Sequence, residues 1–150
     1  MPQSLANVLV HLVFSTKERR PLLRDDVRSK LHAYIIGILE NHGSPSLETN
    51  SVADHIHILF SLSRTITIAK IVEEVKTGSS SWLKTQGDDY RNFHWQNGYG
   101  AFSIGQSQME EVKKYIANQP EHHRKISFQD EYRKFLERYQ IQYDERYVWD

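Results

Sequence analysis

Cysteine is absent from the 150 residues of this chain, and so is any long hydrophobic run. The lack of cysteine excludes disulfide scaffolds, thiolate zinc sites and cysteine nucleophiles, and it is compatible with a reducing cytosol. The most apolar stretch, residues 8–14, is far shorter than the ~20 residues of a membrane-spanning helix. We therefore predict a cytoplasmic protein with no membrane partner.

An excess of charge of either sign is also missing, because 19 basic residues balance 19 acidic ones. Nucleic-acid-binding proteins usually show a basic balance, so neutrality argues against such a partner without excluding it. Residues 126–150 carry four Lys or Arg and six Asp or Glu, which leaves 15 and 13 on residues 1–125 and a net charge of +2 there. A slightly basic body is expected to have modest non-specific affinity for nucleic acid.

The chain length fits one domain. We predict a single domain over residues 1–150, in which residues 126–150 form an acidic C-terminal helix and tail. Apolar and β-branched clusters predict strands, and apolar residues every three or four positions predict helices. The predicted strands are 7–15, 47–52, 54–62 and 93–104, and the predicted helices are 25–41, 67–85, 107–122 and 128–140.

This order, β-α-β-β-α-β followed by helices, is typical of one fold class. It predicts an α+β, ferredoxin-like (RRM-like) antiparallel sheet with helices on one face and additional C-terminal helices. In this topology the first and third strands lie side by side in the centre of the sheet.

A His-x-His pair, His55 and His57, is the sharpest local feature. Because side chains alternate along a strand, both imidazoles face one side of the sheet while Ile56 and Ile58 face the core. Two imidazoles at this spacing suit one divalent cation, and His11 on the first strand lies near them if the strand order is right. The alternative is a pair of polar side chains on a partly exposed face.

A tyrosine and a glutamine share one face of the helix after the fourth strand. Tyr115 and Gln119 are four residues apart, and His122 lies about one turn further on. A Gln119 oxygen would complete a metal site of two histidines and one oxygen. Tyr115 would then act as a nucleophile, helped by a metal or a base because a free phenol has a pKa of about 10. The alternative is that Tyr115 fills the core beside Val112.

Basic and aromatic residues are scattered along the chain in a way that suits single-stranded nucleic acid. Cations attract phosphates, and aromatic rings stack on unpaired bases. The alternative is a solvated helix face and a packed strand. The candidate DNA contacts are Lys17, Arg19, Arg20, Lys76, Trp95 and Tyr99.

Several separated motifs together resemble one family, the small single-tyrosine transposases of the insertion-sequence-200 type in the HUH (His-hydrophobe-His) endonuclease group, which includes the REP-associated tyrosine transposases. The resemblance covers nearly the whole chain. One departure is Gln140, where relatives have glycine in a Tyr-Gly-Ile segment. The motifs are HLVFSTK (11–17), DHIHIL (54–59), GYGAFS (98–103), YIANQPEHH (115–123), SFQDEY (127–132) and YDERY (143–147).

The resemblance implies that His55 and His57 bind Mg²⁺ or Mn²⁺, with Gln119 as the third protein ligand. It implies that Tyr115 attacks a phosphodiester of single-stranded DNA to give a 5′-phosphotyrosine adduct and a free 3′-OH, and that a later 3′-OH rejoins the strand. The DNA would be recognised as hairpins at element ends by a homodimer, with the tyrosine acting in cis or in trans.

Two other functions are compatible with the same residues. A non-catalytic, single-strand-binding module on a ferredoxin-like sheet would bind nucleic acid without forming a covalent product. A hydrolytic metal nuclease would release its products without attachment to the protein.

Overall fold

A four-stranded sheet forms the centre of the computed structural model, which describes residues 2–150. The strands are β1 (Leu9–Ser15), β2 (Ser46–Ser51), β3 (His55–Ser61) and β4 (Gly100–Ile104). The helices are α1 (Asp25–Asn41), α2 (Ile68–Leu83), α3 (Met109–Ala117), α4 (Gln119–His122) and α5 (Phe128–Arg138). Every helix in the described part of the chain is too short or too polar to span a membrane.

The sheet is antiparallel, and its strand order is β2-β3-β1-β4. The predicted α+β fold and the central position of the first and third strands are therefore confirmed. The register between β1 and β3 pairs Val13 with His57 and Ser15 with His55. This register places the His-x-His pair beside the central strand β1.

The larger core lies between α1, α2 and one face of the sheet. Side chains alternate along a strand, so every second residue of the central strands points into this core. Each large apolar side chain buried here contributes roughly 1.5–3 kcal/mol to stability. The central-strand members are Val10, Leu12, Phe14, Ile56, Ile58 and Phe60, and the helix members include Leu31, Ile35, Ile71, Val72 and Val75.

The two helices of the ferredoxin-like core, α1 and α2, lie on one face of the sheet as predicted, and the additional C-terminal helices cover the opposite face. Two apolar clusters hold these helices in place, and the histidines of β1 and β3 lie on the same face. One cluster joins Leu9, Leu59 and Ile104 to Ile116 of α3. The other joins Val13 and Phe102 to Phe128, Tyr132 and Leu136 of α5.

The predicted fourth strand is much shorter than its aromatic content suggested. Only Gly100–Ile104 forms a strand, and the residues before it make one isolated bridge, between Thr16 and Trp95. Trp95 packs edge-on against Phe14 and Phe93 with ring centroids 4.8 Å apart in both pairs. The aromatic residues of this segment therefore serve the core without a ladder of strand hydrogen bonds.

The helix predicted over residues 107–122 is interrupted immediately before Gln119. Pro120 has no N–H to donate to the carbonyl of Ile116. That carbonyl accepts a hydrogen bond from Asn50 Nδ2 of β2 at 3.0 Å instead. A side chain from the sheet thus satisfies the end of α3, and the chain turns into the short α4.

Candidate metal and nucleophile site

The two histidines of β3 are fully buried, which contradicts the alternative interpretation of two polar side chains on a partly exposed face. His55 Nδ1 lies 2.7 Å from Asp54 Oδ1, and His57 Nδ1 lies 2.8 Å from His11 Nε2. Each ring is therefore held through Nδ1, and its Nε2 faces the interior of the site. Metal-binding histidines are commonly oriented by a partner on the second nitrogen in this way.

A carboxylate from α5 lies where the imidazoles converge. Glu131 Oε1 is 2.9 Å from His57 Nε2, 3.1 Å from His123 Nε2 and 3.4 Å from His55 Nε2. The ligand atoms of these four residues all lie within 4.8 Å of one another. Three imidazole nitrogens and one carboxylate oxygen form a donor set that fits a divalent transition metal. The group could therefore hold a metal ion.

Gln119 was the third ligand expected from the sequence, whereas His123 and Glu131 were not expected. Gln119 is fully buried, and its Oε1 lies 3.3 Å from His55 Nε2 while its Nε2 lies 3.3 Å from Glu131 Oε2. It therefore borders the group of four. A signal for Glu131 was present, because it interrupts an apolar stripe on the helix that begins at Phe128.

Tyr115 reaches this group from α3. Its hydroxyl donates a hydrogen bond to Glu131 Oε2 and lies 3.3 Å from His122 Nε2. The ring centroids of Tyr115 and His57 are 5.8 Å apart. The structure thus brings Tyr115 and the His-x-His pair together within one chain, although Tyr115 also packs against the cluster that holds α3.

Burial and charge act on the histidines in different directions. Burial lowers the pKa of His57 to about 4, against the opposing influence of Glu131. Burial and the nearby His57 also hold the pKa of His11 well below its usual range. For His55, burial is outweighed by hydrogen bonds to Asp54 and Glu131, which raise its pKa.

The carboxylate and the phenol are also strongly perturbed. Burial opposes ionisation of Glu131, but its electrostatic interaction with His57 and hydrogen bonds from His123 and His55 outweigh burial and hold the pKa of Glu131 far below its usual range. Burial and then the charge of Glu131 raise the pKa of Tyr115. These directions favour a neutral phenol beside an ionised carboxylate.

Two of the six candidate DNA contacts are used inside the protein. Trp95 is only 5% exposed, and its Nε1 donates to Ser79 Oγ at 3.0 Å, so it offers no face for a base. Lys76 Nζ donates to the carbonyls of Gln96 at 2.8 Å and Gly98 at 2.6 Å, and burial lowers its pKa to about 8. The prediction that Trp95 and Lys76 contact DNA is therefore wrong. Trp95 is packed in the core, and Lys76 is hydrogen-bonded to the loop before β4.

The other four candidates lie at the surface. Lys17 is exposed, and Arg20 is exposed and pairs with Glu18 at 2.8 Å. Arg19 lies over the Trp149 ring at 5.6 Å, and Tyr99 is 36% exposed. Their contact with DNA stays a prediction.

Comparison with known proteins identifies the family. The family model described as "Transposase IS200 like" matches residues 4–119. The transposases for insertion sequence element IS200 of Salmonella typhimurium strain LT2 and of Salmonella typhi are each 28% identical over 120 residues, covering 77% of this chain and 78% of theirs. The chain belongs to the IS200-like transposases, and it is therefore a DNA-processing enzyme.

Two solved structures share the fold. One is a candidate transposase of Deinococcus radiodurans R1, with a TM-score of 0.62 and 20% identity over 79% of this chain and 98% of that one. The other is a REP-associated tyrosine transposase bound to a REP hairpin, with a TM-score of 0.59 and 14% identity over 82% of this chain and 72% of that one. Both similarities support the α+β fold.

Proposed function

We propose that this transposase nicks and rejoins single-stranded DNA through a covalent 5′-phosphotyrosine at Tyr115. The observation that carries the proposal is the hydrogen bond from the Tyr115 hydroxyl to Glu131, a member of the buried group that includes His55 and His57. A nucleophile and a set of metal-ligating atoms therefore share one buried site.

The metal ligands we propose are His55, His57, His123 and Glu131, with Gln119 close enough to take part. A bound divalent cation supplies Lewis-acid polarisation of the phosphate and stabilises charge on the leaving oxygen. Of the two ions implied by the family resemblance, Mn²⁺ suits this nitrogen-rich set better, because Mg²⁺ prefers oxygen ligands.

In the proposed reaction the Tyr115 oxygen forms a bond to phosphorus while the bond between phosphorus and the 3′ oxygen breaks. Glu131 Oε2 and His122 Nε2 both lie within reach of the phenol proton. The phenol proton passes to one of these two groups, and the departing 3′ oxygen takes up a proton from water and becomes a free 3′-OH. Attack by a 3′-OH on the phosphotyrosine reverses these bond changes and rejoins the strand, so the bond energy is conserved.

We further propose that Tyr115 acts in cis, because its hydroxyl already reaches the site of its own chain. Residues 126–150 would then belong to the same domain as residues 1–125, since Glu131 and Phe128 come from them. A single-stranded substrate that carries hairpins is supported by the fold shared with a transposase bound to a REP hairpin. A homodimer stays a prediction from the family resemblance.

The proposal is tested by incubating the full chain with Mn²⁺ and end-labelled, hairpin-forming single-stranded oligonucleotides. We expect a protein–DNA adduct that survives a denaturing gel. Tyr115→Phe should abolish the adduct, while Tyr147→Phe, which changes an exposed tyrosine of the tail, should retain it. An adduct of equal yield with Tyr115→Phe would refute the nucleophile. Salt-sensitive binding without any adduct would favour a non-catalytic binding module.

A further inference from the structure

A cleft between α3 and α5 leads to the proposed nucleophile. Its volume is about 240 Å³, and Tyr115, Glu131 and His122 are among its lining residues. The metal-ligating side chains themselves are nearly inaccessible, with His55 and His57 fully buried and Glu131 2% exposed. A phosphodiester that reaches the Tyr115 hydroxyl through this cleft must leave part of its neighbouring nucleotide inside it.

The walls of the cleft suit a flat, apolar ring. Phe135 of α5 and Tyr139 at its C-terminal end line the cleft, together with Ile104 of β4 and Val112 of α3. Aromatic and apolar walls of this kind stack against an unpaired base and shield it from water. The volume is small for a drug-sized ligand site and suits a single nucleotide.

Two basic side chains in the cleft suit the binding of a nucleotide phosphate. Lys134 and Arg138 project from α5 into the cleft lining. Arg133, which immediately precedes Lys134, pairs with Asp130 and Glu145, whereas neither Lys134 nor Arg138 pairs with a carboxylate within residues 2–150. Two cations without partners thus lie along the cleft and attract phosphate.

A carboxylate on α3 gives the cleft a means of selecting a base. Glu111 lines the cleft and is exposed to solvent. It makes no ion pair within residues 2–150, so its oxygens are available as acceptors. A carboxylate accepts hydrogen bonds from the exocyclic amino group of a base, which thymine lacks.

We propose that this cleft binds the one nucleotide adjacent to the scissile phosphate, with its base between the aromatic and apolar walls and a phosphate at Lys134 and Arg138. The inference rests on the proposed function, since the scissile phosphate is defined by Tyr115. Glu111 makes the site selective for a base that carries an exocyclic amino group. Cleavage therefore depends on the base at this position.

Binding can be measured independently of catalysis by titrating the isotope-labelled chain with dAMP, dCMP or dTMP and following its backbone amide resonances. We expect shifts concentrated at α3 and α5, around Val112, Phe135 and Tyr139, with weaker binding of dTMP. Shifts confined to other surfaces, or no shifts at millimolar nucleotide, would overturn the proposal.

Two pairs of variants distinguish nucleotide binding in the cleft from non-specific attraction between charges. Lys134→Ala should weaken nucleotide binding about tenfold, because a charge-assisted contact is lost. Lys114→Ala removes an exposed lysine of α3 that does not line the cleft, and it should have no effect. Glu111→Gln should reduce the preference of the cleft for dAMP and dCMP over dTMP, whereas Glu110→Gln should leave this preference unchanged. Equal effects within either pair would contradict the proposed site.

A base scan in the adduct assay distinguishes failure of this inference from failure of the proposed function. Adduct yield should fall when thymine replaces the amino-bearing base next to the cleaved bond. Adducts that form equally with every base would refute the selectivity and leave the tyrosine chemistry intact. Nucleotide binding in the cleft without any adduct would support the subsite and refute the phosphotyrosine.

Discussion

Glu131 is the residue on which the hydrogen bonding of the site depends. It accepts a hydrogen bond from the Tyr115 hydroxyl and contacts four histidines, His55, His57, His122 and His123, although its side chain is only 2% exposed. Within residues 2–150 every buried side-chain nitrogen or oxygen has a hydrogen-bond partner. This carboxylate gives the buried Nε2 of His57 its acceptor and supplies a negative charge at the centre of a cluster of imidazoles.

Removing this charge should weaken the metal site. We expect Glu131→Gln to lower the affinity for Mn²⁺ by about tenfold or more, since an anionic ligand is lost while the three imidazoles stay. A titration of free Mn²⁺ by electron paramagnetic resonance measures this directly. Glu137→Gln, which changes an exposed residue of the same helix, is the matched control and should bind Mn²⁺ like the parent.

A different result would support the ligand set expected from the sequence, His55, His57 and Gln119. If Glu131→Gln bound Mn²⁺ as tightly as the parent while Gln119→Ala did not, the third ligand would be Gln119.

His32 is a histidine outside the metal site whose burial makes stability depend on pH. Burial and then the nearby Arg28 lower its pKa to about 4, and its Nε2 lies 2.7 Å from Ser51 Oγ. The folded state therefore favours the neutral ring. Its contribution to stability is complete above a pH of about 6.5 and is lost as the pH falls through 4.

We expect His32→Gln to reduce the acid sensitivity of the free energy of unfolding between pH 6.5 and 4. One such group changes the slope by at most about 1.4 kcal/mol per pH unit. Urea unfolding at a series of pH values measures it. His94→Gln, at an exposed position, should keep the slope of the parent, and a His32→Gln slope as steep as the parent's would contradict this account.

At the scale of elements, the sequence predicted the helices and strands whose positions follow from the local spacing of apolar residues. The strand containing His55 and His57 and the helices of the β-α-β-β-α-β core appear within one or two residues of their expected bounds. Periodicity could not show that Asn50 would satisfy the end of α3, because that partner lies 66 residues away. Periodicity also could not show that α5 packs over the histidines, because that packing depends on the apolar face of α5 fitting the face of the sheet formed by distant residues.

The end of α5 explains the one departure noted in the family motif. Gln140 has a φ of 55°, the left-handed region that favours glycine, and its N–H donates to the carbonyl of Glu137 while that of Ile141 donates to Leu136. At such a helix ending a glycine, which the family resemblance implies at this position, would be unstrained.

Gln140→Gly should therefore stabilise the protein by about 0.5–1 kcal/mol, as relief of backbone strain exceeds the added chain entropy. Chemical denaturation measures the change. Gln142→Gly lies two residues on without a positive φ and should bring no gain. A loss of stability with Gln140→Gly would show that the helix does not end in this geometry.

At the scale of the whole molecule, neutrality limits how this protein can hold DNA. Lys76 and Trp95, two of the residues expected to contact DNA, stabilise a loop and the core instead. The sequence could not reveal this, because an exposed cation and an internally bonded one have the same residue type. Affinity from charge alone is therefore expected to be small.

Tyr115 and the group of potential metal ligands lie together in one chain, so each chain is expected to form its own adduct without help from a second chain. If Tyr115 acts in cis, a mixture of Tyr115→Phe and His57→Ala chains should form no adduct, because neither chain has a whole site. The mixture is compared with parent protein diluted to the same concentration. Recovery of a substantial fraction of parental adduct would show that one chain's tyrosine serves the histidines of another.

Peptide mapping of the covalent adduct tests the role of Tyr115 most directly. The protein–DNA adduct formed with Mn²⁺ is digested with nuclease and protease, and the peptides are analysed by mass spectrometry. We predict a nucleotide joined through its 5′-phosphate to the phenol of Tyr115. A nucleotide attached to any other residue, or DNA cleaved in full with no residue modified, would contradict the proposed chemistry.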